Sequence, residues 1–147
     1  MNTPSYSSAS SLTPTQVAYL QNFSANTLGG RVLLGKKTGA NMNSTADQAI
    51  TINSANYIIR NIVATNASTS LTLAAGGIYA GASKATAVVA NTQVYSTLTA
   101  ASKTVDLTVN ALGLSDRRTE GTLYLSLTTG QGGAATADIF IFGDRLD

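Results

Sequence analysis

Apolar residues recur at every second position in several short segments of the chain. In residues 122–128 three leucines alternate with tyrosine, serine and threonine, and in residues 104–110 valine and leucine alternate with threonine and aspartate. A period of two places successive side chains on opposite faces of a strand. Both segments are therefore predicted to be strands with one face in a core and the other toward solvent.

Nine segments of this kind follow residue 31, separated by clusters of Gly, Asn and Ser. They are residues 32–35, 49–53, 57–64, 70–74, 87–90, 93–98, 104–110, 122–128 and 137–143. Helices of the spacing that βαβ units require are not predicted between them. The pattern predicts an all-β domain over residues 31–147, an antiparallel β-sandwich or jelly roll of about eight short strands. Its last two strands, with the glycine-rich turn between them, are predicted to form a hairpin.

The last segment differs from the others because both of its faces are apolar. Ile139 and Ile141 fall on one face, and Phe140 and Phe142 fall on the other. Such a strand needs cover on two sides. Phe140 and Phe142 are therefore predicted to lie at an interface, covered by the N-terminal arm or by a neighbouring subunit. A homo-oligomer is the expected assembly.

Residues 1–30 are rich in Ser, Thr and Asn and poor in branched aliphatic residues, a composition typical of an extended arm. Within the arm, Thr13 is suited to cap a helix, Pro14 to its first position and Gln16 to a capping box. These residues predict a short helix that ends at Phe23.

The arm has few apolar side chains, too sparse to form a core of their own but spaced as anchors. Burying one such side chain is worth roughly 1.5–3 kcal/mol, so the set is predicted to hold the arm on another chain. The anchors are Tyr6, Val17, Tyr19, Leu20 and Phe23.

Charged residues make up only 11% of the 147 residues, with a net charge of +2, against about 25% in typical soluble proteins. A weakly charged surface is easily covered by neighbours, which favours an assembly subunit. The basic residues form no stripe, and the pairs Lys36-Lys37 and Arg117-Arg118 are expected to be solvated loop charges. A nucleic-acid partner is therefore not predicted.

Targeting signals are not evident in the sequence. The first ten residues, MNTPSYSSAS, lack the charged and apolar regions of a signal peptide, and no apolar run approaches the roughly 20 residues of a membrane helix. The chain has no cysteine, so no disulfide is expected. These features predict a protein made in a cytoplasm, without a membrane partner.

Residues 30–37, GRVLLGKK, match the spacing of a phosphate-binding loop. Such a loop needs Ser or Thr after its first lysine to hold magnesium, and a helix must follow it. Lys37 occupies the hydroxyl position, and the Val-Leu-Leu run is typical of a strand. A strand that ends in a basic turn is the preferred interpretation, and no cofactor is predicted.

Catalytic chemistry has little support, because a Ser or Thr nucleophile normally needs a nearby base and the chain has no histidine. A pair of carboxylates for glycoside hydrolysis remains open, although ion pairing with neighbouring arginines is the plainer explanation for several of them. The acidic residues are Asp47, Asp106, Asp116, Glu120, Asp138, Asp144 and Asp147. No catalytic residue and no enzyme activity are predicted.

Metal and carbohydrate sites are also weakly indicated. Zinc prefers Cys or His, and Asp144 with Asp147 are too few for calcium unless an ion is shared between chains. Carbohydrate-binding sandwiches usually display aromatic platforms, and Tyr79 and Tyr95 beside turns are the candidates here. Tyrosine at a strand end more often anchors a core or an interface.

The stretches DQAITINSANYIIRNIVATNAS, AAGGIYAGASK, QVYSTLTAAS and LYLSLTTGQGGAATADIFIFGD resemble small structural proteins from the virion gene clusters of tailed bacteriophages. The resemblance covers about residues 47–147. It implies a capsid decoration or cement protein, a β-sandwich that trimerises on the capsid and bridges capsid proteins. It carries no catalytic motif.

The expected function is that of a non-enzymatic virion structural protein, made in the bacterial cytoplasm and bound to the major capsid protein or another virion protein. A tail, neck or fibre-base protein is the first alternative, because the same features would suit another position in the particle. A carbohydrate- or receptor-binding module is the second alternative.

Overall fold

The computed structural model describes residues 31–110 and 116–147. Within these ranges the chain forms eight strands and no helix. The strands are β1 Val32–Asn41, β2 Gln48–Thr51, β3 Tyr57–Thr65, β4 Ala75–Gly81, β5 Ala85–Val89, β6 Thr104–Leu107, β7 Thr122–Thr129 and β8 Thr136–Arg145. The predicted helix over residues 14–23 and the arm anchors lie outside the described residues.

The strands form two antiparallel four-stranded sheets, in the orders β1-β8-β3-β6 and β2-β7-β4-β5. Strands at mirrored positions in the sequence are neighbours, since β1 pairs with β8, β2 with β7, β3 with β6 and β4 with β5. This is the connectivity of a jelly roll, in which a long antiparallel ribbon wraps into a sandwich. The predicted fold class is therefore confirmed.

Side-chain alternation places the core between the two sheets, as the sequence pattern predicted. The three leucines of β7 and the two isoleucines of β8 are fully buried. From β3, Ile59 and Ile62 meet them in one hydrophobic cluster. Residues Val32–Asp147 form one compact unit.

The two sheets are also joined at both of their edges. On one side Gly35 bridges to Ile52, and the Asn53 amide donates to the Leu34 carbonyl at 2.8 Å. On the other side Val89 bridges to Val109. The joined edges give the sandwich a barrel-like cross-section and leave fewer unpaired strand edges than an open sandwich has.

Two of the nine predicted strands, residues 70–74 and 93–98, are wrong. Both segments are loops at one end of the sandwich, and their apolar residues Leu71, Tyr95 and Leu98 close that end of the core with no exposed surface. Apolar residues that close the end of a core give the same sequence pattern as a short buried strand.

One strand, β4 with the sequence AGGIYAG, was not among the nine predicted segments. Its glycines are required by close packing. A Cβ atom at Gly77 would collide with the Val89 carbonyl, and one at Gly76 would collide with the Leu127 backbone. Gly76 also has φ of 154°, which disfavours a side chain.

The predicted hairpin over residues 122–143 is also wrong. Strands β7 and β8 belong to different sheets, and the glycine-rich segment 130–135 passes from one sheet to the other. The basic turn predicted at Lys36-Lys37 is wrong as well, because β1 continues through both lysines to Asn41. In the described ranges no helix has the length and apolarity needed to cross a membrane.

Candidate interaction surface

Five carboxylates of the described residues accept hydrogen bonds from neighbouring groups. Asp47 accepts from the Ser83 amide at 2.6 Å, Asp138 from the Gly39 amide at 2.7 Å, Asp144 from Arg60 Nε at 2.7 Å, Asp147 from Ser54 Oγ at 2.6 Å, and Asp106 from Asn61 Nδ2 at 3.2 Å. Asp144 thus pairs with Arg60, while its sequence neighbour Arg145 lies near Asp147 at 3.6 Å. These five carboxylates thus have structural partners, while Asp116 is exposed. Across the described ranges, no three His, Cys, Asp or Glu side chains are grouped to hold a metal ion.

Two carboxylates are stabilised in the charged form by these bonds. The Ser83 amide and the Ser126 hydroxyl lower the pKa of Asp47, and Lys84 lowers it further. The Ser54 hydroxyl and the Ala55 amide lower the pKa of Asp147. Both acids fix loops, Asp47 at the β4–β5 turn and Asp147 at the β2–β3 connection.

The tyrosines considered for a carbohydrate platform are buried, as the preferred interpretation of tyrosines that anchor a core expected. Tyr95 is fully enclosed in the core, and its hydroxyl donates to the Gly76 carbonyl at 3.3 Å. Tyr79 is 3% exposed, and its hydroxyl has no hydrogen-bond partner within residues 31–110 and 116–147. Burial raises the pKa of both phenols. Neither ring can stack on a ligand from solvent.

Arg118 was expected to be a solvated loop charge, but it is 8% exposed and that prediction is wrong. Its backbone pairs with Tyr57 in both directions, at 3.0 and 2.7 Å. Its guanidinium lies 3.4 Å from Glu120, and its Nε has no acceptor in the part of the chain that the structure describes. The Tyr57 hydroxyl donates to the Glu120 carbonyl at 2.8 Å. Arg118 therefore belongs to the packing of this loop.

The outer face of the β1-β8-β3-β6 sheet carries an apolar patch that we name the phenylalanine face, formed by Leu33, Val63, Phe140 and Phe142. In the strand register, Leu33 lies opposite Phe142 and Val63 lies opposite Phe140. Opposed residues in an antiparallel sheet share a face. The two phenylalanine rings stack with centroids 6.4 Å apart and planes at 21°.

Polar residues surround the phenylalanine face. Lys36 lies opposite Phe140 on β1, Asn61 lies opposite Phe142 on β3, and Asp106 lies opposite Val63 on β6. The Arg60–Asp144 ion pair lies on the same sheet, with both side chains more than one third exposed. An apolar centre with a polar rim is typical of a protein interaction site.

On the outer face of the other sheet some side chains are buried and others are exposed. The tip of the β4–β5 hairpin reaches Asp47, to which the Ser83 amide is bonded. Ser126 and Tyr79 on this face are almost completely buried, although they alternate with core residues. On the phenylalanine face, by contrast, both phenylalanines keep partial exposure and Leu33 is 44% exposed.

Comparisons of the chain with protein-family models, curated proteins and solved structures find no match. The fold and the surface are therefore the basis for a functional proposal.

The sequence predicted the two phenylalanines of this face but not Leu33 and Val63. Those two residues lie on β1 and β3, far from β8 in sequence, and only strand pairing brings them beside Phe140 and Phe142. A predicted strand order would have been the only signal for them. The anchors predicted in the arm lie outside the described residues.

Proposed function

We propose that this chain is a non-enzymatic structural subunit of a virion, a capsid decoration or cement protein that binds the major capsid protein or another virion protein. The phenylalanine face is the observation that carries the proposal. It offers an apolar docking surface on the outer face of the β1-β8-β3-β6 sheet. The resemblance to virion proteins of tailed phages supplies the kind of partner.

The energetics suit a subunit that is held by two attachments. Full burial of each phenylalanine contributes roughly 1.5–3 kcal/mol, whereas association costs roughly 4–15 kcal/mol in lost freedom of motion. The phenylalanine face alone is then a weak site. We propose that the arm of residues 1–30 supplies the second attachment on a neighbouring chain, through its apolar anchors and through backbone pairing.

The proposed partner surface has little charge, to match this chain. Only 11% of its residues are charged, so few ion pairs have to be desolvated when it is covered. A bridging subunit of this kind would bury at least the roughly 1,200–2,000 Å² of a standard stable interface.

We also propose a homo-oligomer, with a trimer as the specific expectation. Sedimentation of the purified chain at micromolar concentration would test it, and a monomer under those conditions would contradict a self-standing trimer.

The decisive test is add-back of purified protein to particles that lack it. Particles from a phage with this reading frame deleted should bind the wild-type chain, and Phe140→Ser/Phe142→Ser should reduce the affinity at least about tenfold. Leu73→Ser is the matched control, because Leu73 is 61% exposed in the β3–β4 loop, outside the phenylalanine face. Thermal unfolding of each variant separates a lost contact from a lost fold.

Two results would overturn the proposal. Equal binding by the double variant and the wild-type chain would remove the phenylalanine face from the attachment. Absence of the chain from purified particles would remove the virion role altogether.

Copy number separates the decoration role from the alternative of a tail, neck or fibre-base protein. Quantitative mass spectrometry of particles should give hundreds of copies for a decoration subunit. A value in the dozens would assign the chain to the tail, neck or fibre base.

A further inference from the structure

A pocket of about 300 Å³ lies where the two sheets meet beside β5 and β6. One wall consists of residues that come just after β5 in sequence, and the other consists of residues that come just after β6. The lining residues are Ala90, Thr92, Gln93, Val94, Thr108 and Asn110. The volume is at the lower end of the roughly 300–1,000 Å³ of small-molecule sites.

The walls of this pocket are tied together by their own hydrogen bonds. Gln93 Oε1 accepts from the Thr108 amide at 2.9 Å, and Gln93 Nε2 donates to the Val94 carbonyl at 2.8 Å. Asn110 Nδ2 donates to the Ala87 carbonyl at 2.7 Å. A preformed site loses little conformational entropy when a ligand binds.

The pocket offers polar groups without charge. None of its lining residues is ionisable. Among the described residues, the hydroxyls of Thr92 and Thr108 and the Oδ1 atom of Asn110 have no hydrogen-bond partner, so they are available to a ligand. Val94 adds an apolar surface that is 54% exposed. Two hydroxyls and an amide oxygen next to a small aliphatic patch form a mixed, neutral surface.

We propose that this pocket binds a neutral saccharide unit. A sugar ring presents several hydroxyl groups that can donate to all three oxygens and accept from the two threonine hydroxyls, and its C–H groups can pack on Val94. A phosphate or carboxylate ligand would lack a cation to pair with. A nucleobase would lack an aromatic ring on which to stack. The site is independent of the phenylalanine face and of the proposed virion role.

The test is a titration of the full-length ¹⁵N-labelled chain with glucose, galactose, mannose and N-acetylglucosamine, followed by amide chemical shifts. At least one sugar should shift the amides of the lining residues in a saturable way, with a millimolar dissociation constant. The variant Thr92→Val/Thr108→Val removes both hydroxyls at nearly constant volume and should weaken binding at least about tenfold. Thr38→Val, at an exposed position on β1, is the matched control and should bind like the wild-type chain.

Three outcomes would overturn the saccharide site. The first is an absence of saturable shifts with all four sugars. The second is an equal response of the wild-type chain and the double variant. The third is the same pattern of shifts with glycerol at equal hydroxyl concentration, which would show a general polyol effect. The particle-binding experiment does not depend on any of these results.

Discussion

The hydroxyl group of Tyr79 is buried, and among the described residues it has no hydrogen-bond partner. Desolvation of an unpaired hydroxyl costs about 1–3 kcal/mol, so Tyr79→Phe should raise the free energy of unfolding by about 1 kcal/mol. Tyr95→Phe is the contrasting variant, because the Tyr95 hydroxyl donates to the Gly76 carbonyl at 3.3 Å. It should lower the free energy of unfolding by about 1 kcal/mol. Urea unfolding at pH 7 measures both, and destabilisation by Tyr79→Phe would show that its hydroxyl is satisfied in solution.

Two carboxylates should make the stability of the fold depend on pH in the acid range. Hydrogen bonds lower the pKa values of Asp47 and Asp147 below the ordinary value of 3.8. A lowered pKa contributes stability above the unfolded-state value, and this contribution is lost as the pH falls through the folded-state value. The free energy of unfolding should therefore fall as the pH decreases below about 4.

The variant Asp47→Asn tests this assignment by urea unfolding between pH 2 and pH 7. It cannot gain a proton at position 47, so its loss of stability on acidification should be smaller than that of the wild-type chain. Asp106→Asn serves as the comparison, since Asp106 accepts only one side-chain bond at 3.2 Å in the described structure. Identical pH profiles for the wild-type chain and Asp47→Asn would contradict the role of Asp47.

At the scale of single elements, the β4–β5 turn has a backbone conformation that its sequence does not favour. Ser83 and Lys84 have φ of 58° and 60°, as in the type I′ turns that prefer Asn-Gly. A non-glycine residue in the left-handed region costs roughly 1 kcal/mol. Lys84→Gly should therefore raise the free energy of unfolding by about 0.5–1 kcal/mol.

The control for this variant is Lys36→Gly, the same exchange in the extended strand β1. It should lower the free energy of unfolding, because glycine inside a strand loses more conformational freedom. Thermal unfolding of both variants measures the difference. Equal effects of the two exchanges would show that the turn conformation is not strained.

Strand prediction succeeded where one face of a strand meets the core, as in β7, whose alternating leucines are all buried. It failed for β4, where the glycines are needed because the backbone of a neighbouring strand packs closely against them. In a sequence, such a glycine looks the same as a glycine in a turn. The candidate site was predictable for Phe140 and Phe142, which share one strand. Val63 belongs to the phenylalanine face only because β3 pairs with β8. The alternation of apolar and polar residues predicts which face of a strand is buried, but it does not predict which strands pair.

At the scale of the whole molecule, the two outer faces of the jelly roll differ in how they are protected. In the β2-β7-β4-β5 sheet Tyr79 and Ser126 are buried, and the Ser83 amide at the hairpin tip donates to the Asp47 carboxylate. The β1-β8-β3-β6 sheet presents the phenylalanine face, and the edges between the sheets are joined by bridges. Because edge pairing is restricted, attachment through a sheet face is favoured over edge-to-edge association.

The last prediction concerns the division between the arm and the β domain. The described core residues lie between Leu34 and Ile141, and residues Val32–Asp147 form a compact unit. Deletion of residues 1–28 should therefore leave a folded β domain, with a cooperative thermal transition and β-type circular dichroism. If the proposed arm attachment is correct, the truncated chain should bind particles at least about tenfold more weakly than the full chain, because the proposed anchors Leu20 and Phe23 are lost. Unfolding of the truncated chain would mean that the arm belongs to the core, and full-strength binding would mean that attachment depends on the phenylalanine face alone.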